Sequence, residues 1–156
     1  MDLLKAGALA KKKGGGATNV EDVFSTFLFE GTGANQTITN NIDLAGEGGL
    51  VWIKDRTTAQ NHALTDTVRG NTKWLSSNEN YVEDTFTNGL TSFNADGFSV
   101  GTHGGYNANG SDIVSWTFRK APKFFDVVTW TGDGSAGPFT LSHNLGSSVG
   151  MSTVKV

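Results

Sequence analysis

Asp112-Ile113-Val114-Ser115-Trp116-Thr117-Phe118-Arg119 decides the fold. Its side chains alternate: Ile113, Ser115, Thr117 and Arg119 fall on one face, and Val114, Trp116 and Phe118 on the other. A period of two is that of a strand, because successive side chains of an extended backbone point to opposite sides. The chain upstream repeats the message in short runs parted by turn residues. Leu90–Phe93 and Phe98–Val100 flank Asn94-Ala95-Asp96-Gly97, a hairpin signal with Asp-Gly where positive φ is wanted. Leu50-Val51-Trp52-Ile53-Lys54 is nearly continuous in apolar residues and reads as a strand buried on both faces. Val23–Phe29, Thr37–Ile42 and Ala63–Val68 are further candidates, and Asn88-Gly89 and Asn109-Gly110 mark turns. About six strands with almost no helical period predict an all-β, antiparallel β-sandwich or jelly roll. Trp52, Phe93, Phe98 and Trp116 lie in these patterns and are expected in its core.

Composition agrees. Of 156 residues, 21 are glycine and only 2 proline, so turns are plentiful without a disordered Pro/Gly signature. Ten Phe, four Trp and two Tyr are enough aromatic surface to build a core. No cysteine is present, which removes disulfide scaffolds, thiol catalysis and cysteine-ligated metal sites. No apolar run approaches the ~20 residues of a membrane span, so no membrane insertion is expected. The N-terminal MDLLKAGALAKKK carries its charge after its short apolar stretch, the reverse of a secretory signal. A net charge of −3 argues against nucleic acid as a partner.

The charge is unevenly placed. Residues 1–20 hold Lys5, Lys11, Lys12 and Lys13 against Asp2, a net of +3, which leaves −6 on the rest. Leu3–Ala10 reads as a short helix, ended by Lys11-Lys12-Lys13 and a Gly14-Gly15-Gly16 hinge. So short a helix is marginal alone and needs a surface to dock on, and three lysines suit an acidic protein surface better than nucleic acid. A repeat with an offset of 101 follows: Phe27–Gly33 is similar to Val128–Gly134, and Leu50–Lys54 to Met151–Lys155. Three segments result: 1–22, a docking leader; 23–121, a sandwich; and 122–156, the start of a second, incomplete unit. Such a unit cannot close a sandwich alone, so either the chain is part of something longer or this segment pairs with neighbouring chains.

The sequence holds no phosphate-binding glycine loop, no H-E-x-x-H, no G-x-S-x-G and no paired carboxylates on one strand. Glu79 and Glu83 lie in a polar stretch that reads as a solvated loop. His62, His103 and His143 are far apart and read as surface or turn residues rather than metal ligands. No enzyme activity, cofactor or metal is therefore expected. Trp74, Tyr81 and Tyr106 differ from the strand aromatics because they lie in polar stretches rich in Asn and Gly. They either pin long loops onto the sandwich or stack on a sugar surrounded by amide and carboxylate groups.

Gly49–Asn78, Leu90–Gly101 and Asp112–Pro122 resemble a domain repeated in tail fibres and related appendage proteins of marine bacteriophages, cyanophages among them. The resemblance rests on Gly49, Trp52, Ile53, Lys54 and Arg56; on Asp66, Val68, Arg69 and Gly70; on Phe93, Gly97, Phe98, Val100 and Gly101; and on Val114, Trp116 and Phe118. Val127–Val156, with its T-G-x-G and S-H-N-L-G runs, resembles the start of another copy, although Ser152-Thr153 stand where the first has Val51-Trp52. It covers about residues 23–156 and implies a concanavalin-A-like or jelly-roll sandwich strung in tandem along a fibre. The function implied is that of a virion structural protein, a tail fibre assembled in the host cytoplasm. Leu3, Leu4, Lys5, Lys11, Lys12 and Lys13 would dock it on other virion proteins of the tail or an adaptor, and homotrimers are expected. The alternatives are a lectin module that binds a host-surface glycan through Trp74, Tyr81 and Tyr106, or a capsid decoration protein.

Overall fold

The computed structural model describes residues 18–134 and 136–155. Residues 1–17 of the leader, with its expected helix and the docking residues Leu3, Leu4, Lys5, Lys11, Lys12 and Lys13, lie outside them. A 3-10 turn, Val20–Asp22, leads into nine strands: β1 (Phe24–Glu30), β2 (Gln36–Thr39), β3 (Gly49–Asp55), β4 (Ala63–Asp66), β5 (Lys73–Trp74), β6 (Asp84–Thr85), β7 (Leu90–Asn94), β8 (Gly97–Val100) and β9 (Asp112–Arg119). Two single-turn helices interrupt them, α1 (Leu44–Glu47) and α2 (Gly104–Asn107). The strands form a four-stranded sheet in the order β1-β9-β3-β4, a three-stranded sheet β2-β8-β7 and a β5-β6 pair. Every pairing is antiparallel. The fold is an all-β antiparallel sandwich. Its core joins Val51, Ile53, Ile113, Phe27 and Phe29 of the larger sheet to Ile38, Leu90, Phe98 and Val100 of the smaller one, with Ile42, Leu44 and Tyr106 in the same cluster. Each such side chain contributes roughly 1.5–3 kcal/mol when fully buried.

The alternation of β9 is as read, but its orientation is not what hydropathy suggests. Ile113, Ser115 and Thr117 face the core and are wholly buried, while Trp116 and Phe118 lie on the outer face, partly exposed. The buried hydroxyls are tolerated where they find partners: Asn40 Nδ2 donates to Thr117 Oγ1 at 2.8 Å, and Thr65 Oγ1 and Tyr106 Oη are 2.9 Å apart. β3 divides in the same way. Val51 and Ile53 are buried, whereas Leu50 and Trp52 look outward and are partly exposed, so β3 is not buried on both faces. Of the four aromatics expected in the core, Phe98 is fully buried and Phe93 packs against the cluster. Trp52 and Trp116 instead face each other across neighbouring strands on the outer face, rings 5.7 Å apart at 68°. Trp52 Nε1 donates to His62 Nδ1 at 2.7 Å. Register puts Phe24, Leu28, Leu50, Leu64 and Phe118 on that face with them.

The β7–β8 hairpin closes through Ala95-Asp96, and Gly97 pairs with Asn94 inside the ladder. Gly97 is therefore needed for a different reason than the turn. Its φ is +154°, and a Cβ there would collide with the carbonyl oxygen of Ile38 on β2. Beyond β9, Ala121 bridges to Phe125, whose ring lies 5.2 Å from that of Phe118. Lys120 pairs with Asp126 at 3.0 Å. Among the described residues of 126–155 no strand forms, and Met151–Lys155 joins no ladder. Lys155 Nζ reaches back to the carbonyl oxygen of Glu79 at 2.7 Å.

Candidate functional site

His103 starts α2. Its extended backbone leaves Nδ1 free to accept the Gly105 N–H at 3.1 Å, which caps the helix. The turn carries Tyr106 into the core, where its hydroxyl meets Thr65 of β4. Burial pushes this phenol up to about 12, against a smaller opposing effect of the Thr65 hydrogen bond. Asn107 closes the turn and is fully buried. It accepts the Thr32 N–H at 2.8 Å and donates to the carbonyls of Ala34 at 2.5 Å and Gly101 at 2.9 Å, so the β1–β2 loop is tied to α2.

The β5–β6 pair sets Trp74 opposite Asp84, and the polar stretch between them brings Tyr81 to 6.3 Å from the Trp74 ring. Phe86 follows, 5.4 Å from Trp74 and 4.2 Å from His103, whose own ring is 5.6 Å from Tyr106. These groups line a cavity of about 280 Å³ that also includes Gln60, Asn61, Ala63, Asp84 and Gly105. Trp74, Tyr81 and Tyr106 therefore meet at one place. Two of them serve the loop-pinning role as well: Trp74 is 8% exposed and Tyr106 2%, while Tyr81 is 50% exposed. Sequence reading missed Phe86, His103, Asn61, Gln60 and Asp84. Only His103 left a signal, as a polar residue directly before the Gly-Gly that opens α2.

The polar rim is set by existing bonds. Burial holds His103 below the ordinary histidine range, so its ring is neutral near pH 7. With Nδ1 accepting from Gly105, the ring proton sits on Nε2 as a donor. Asn61 Oδ1 accepts from Asn78 Nδ2 at 3.0 Å, which leaves its amide hydrogens for another acceptor. Asp84 Oδ1 takes the Thr85 N–H at 2.6 Å and leaves the other carboxylate oxygen at the rim. The cavity thus offers aromatic walls, two donors and an anionic acceptor, which is the equipment of a small-molecule binding site.

Other candidates have structural work. Glu83 faces Lys73 at 3.3 Å and Arg69 at 3.8 Å, and Arg69 also pairs with the buried Asp66. Asp55 and Asp66 each accept backbone N–H groups two and three residues on. Burial raises Asp55, but hydrogen bonds from Thr58, Thr57 and Ser111 outweigh it and hold the carboxyl below its usual range. His62 is engaged by Trp52 and His143 accepts from the Leu145 N–H, so the three histidines do not converge. Among the described residues no group of three or more His, Cys, Asp or Glu could hold a metal ion, and no helix is long and apolar enough to cross a membrane. A shallower groove of about 470 Å³ runs past Leu44, Thr67, Asn71 and Phe93, but the Asn71 amide is already spent on the carbonyls of Leu90 and Thr91. The aromatic cavity, with its uncommitted donors, is the better candidate site.

No curated protein and no solved structure matches the chain. One family does, over residues 19–156, and so across the sandwich and the segment after it: the chain belongs to the family described as Domain of unknown function (DUF7483).

Proposed function

We propose that the chain is a building module of a bacteriophage virion, a tail fibre or similar appendage, and not an enzyme. The motifs that resemble marine phage appendages support this reading. The observation that carries it is the outer face of the four-stranded sheet. An antiparallel sheet covered on one side ordinarily turns polar residues to water on the other. Here Phe24, Leu28, Leu50, Trp52, Leu64, Trp116 and Phe118 share that side, partly or largely exposed. Thr26 and Lys54 lie among them and Glu30 and Asp112 at one end, so the face is largely apolar, which suits a surface meant to be covered by another subunit. The leader would supply the attachment to other virion proteins, and the chain would assemble as a trimer.

Light scattering on the full chain tests the assembly. The expected result is a trimer that falls to monomers in L28S/W116S while the unfolding transition persists. A monomer at every concentration, with a mass unaffected by those substitutions, refutes the reading. Cryo-EM of intact particles then separates a tail from a capsid location, and deletion of residues 2–16 should abolish attachment without unfolding the sandwich.

A second reading, a host-glycan-binding module, is favoured by one specific observation: Trp74, Tyr81 and Tyr106 converge with uncommitted hydrogen-bonding groups on one cavity. The two readings are compatible, since an appendage module can also touch the host surface.

A further inference from the structure

We propose that the aromatic cavity takes the acetamido group of an N-acetylated hexosamine, an inference that rests on the glycan-binding reading. A pyranose that stacks needs the open face of a ring. Trp74 and Tyr106 show almost none, at 8% and 2% exposure. Trp74 is tilted 41° from Tyr81 and 56° from Phe86, so the walls make a slot and not a platform. A slot with aromatic walls accepts a methyl group well, because the methyl leaves water and meets carbon on several sides. The rest of an acetamido group asks for one donor to its carbonyl oxygen and one acceptor for its N–H. His103 Nε2–H and the Asn61 amide are donors on the lining, and the Asp84 carboxylate is an acceptor there. Among the described residues no protein acceptor meets the Asn61 Nδ2 hydrogens. About 280 Å³ is small for a ligand pocket, which usually runs from roughly 300 to 1,000 Å³. It has room for one sugar residue, with the acetamido group innermost and the ring toward the half-exposed Tyr81.

The test is a titration of the full chain, followed by two-dimensional NMR, with N-acetylglucosamine, N-acetylgalactosamine, glucose, galactose and glucosamine. The acetylated sugars are expected to shift the Trp74 indole resonance and to bind at least tenfold more tightly than the other three. Tyr81→Ala and Asp84→Ala alter exposed side chains, so both should fold, and each should weaken the acetylated sugars about fivefold or more. Glucose bound as well as its N-acetylated amine overturns the acetamido assignment and leaves the glycan reading standing. Glucosamine bound most tightly overturns it in favour of a cation in an aromatic cage. No perturbation by any sugar at millimolar concentration removes the inference and the glycan reading together.

Discussion

Asn107→Ala should be among the most damaging single changes in the sandwich, although nothing in the residue's surroundings in sequence marks it out. The side chain is fully buried and makes three good hydrogen bonds: from Thr32 N–H at 2.8 Å, and to the carbonyls of Ala34 at 2.5 Å and Gly101 at 2.9 Å. At about 1 kcal/mol net for each bond, the loss is about 3 kcal/mol. The Gly101 carbonyl is itself buried and is left without that donor, which pushes the cost upward. For a cooperative unit of roughly 100 residues, 3 kcal/mol corresponds to a fall in Tm of about 12–24 °C. Urea unfolding followed by tryptophan fluorescence measures it, with equal slopes for the two proteins as the condition for comparison. Asn109→Ala, two residues on and exposed, is the control and should stay within about 0.5 kcal/mol. A loss below about 1 kcal/mol for Asn107→Ala, or one no larger than the control, refutes the idea that this amide ties the β1–β2 loop to α2.

Stability should fall on mild acidification. Burial lowers His103, and burial together with the Lys54 charge lowers His62, each from an ordinary value of 6.5. Between that value and the lowered one, the unfolded chain binds more protons than the native one. The stabilisation is therefore complete above about pH 6.5 and lost as pH falls through the lowered values. The urea midpoint should drop from pH 7.5 to pH 5, and less so in His103→Gln. Asp55 and Asp126 act only below their usual 3.8 and do not confuse this window. A midpoint that holds or rises on acidification contradicts the argument. Gly97→Ala should cost about 3 kcal/mol or more, since φ is +154° and the new Cβ meets the Ile38 carbonyl. Gly110→Ala, at φ +73° with open space around it, should cost only the left-handed strain of about 1–2 kcal/mol. Equal effects at the two glycines in thermal unfolding would show that the close approach to β2 does not matter.

Strand positions were legible because period-two alternation is a local property of the chain. β9 occupies Asp112–Arg119 as read, and the β7–β8 hairpin sits at its Asn-Ala-Asp-Gly run. Which face turned inward was not legible. Hydropathy favours Val114, Trp116 and Phe118 over Ile113, Ser115 and Thr117, yet the structure buries the whole second set and only Val114 of the first. That choice depends on partners far away in sequence, such as Asn40 for Thr117. The site shows the same division. Trp74, Tyr81 and Tyr106 stood out because aromatics in polar stretches break the local pattern. Phe86 and Asp84 did not, since only the β5–β6 pairing and the approach of α2 bring them to the cavity. His103 carries its meaning through a cap, a contact two residues long, and was within reach of sequence reasoning.

The two surprises are linked. A sheet that puts hydroxyls inside and indoles outside gives up apolar burial in its own core, for Ser115 Oγ is buried with no hydrogen-bond partner among the described residues. For an isolated domain that arrangement is wasteful, because turning Trp116 inward would remove far more apolar surface from water than Thr117 does. It stops being wasteful if the outer face is covered in use, since the area lost from the core is then regained between subunits. The Trp52–Trp116 pair is built for such a role. Its rings are fixed edge to face, and the Trp52 N–H is already satisfied by His62, so a partner could cover that indole without stranding its N–H, while the Trp116 N–H would take an acceptor from the partner. The same sandwich keeps its uncommitted donors, Asn61 and His103, at the separate aromatic cavity. The face proposed for assembly and the cavity proposed for a small polar ligand share no residue, so substitutions at Trp116 and at Tyr81 should act independently on mass and on sugar binding.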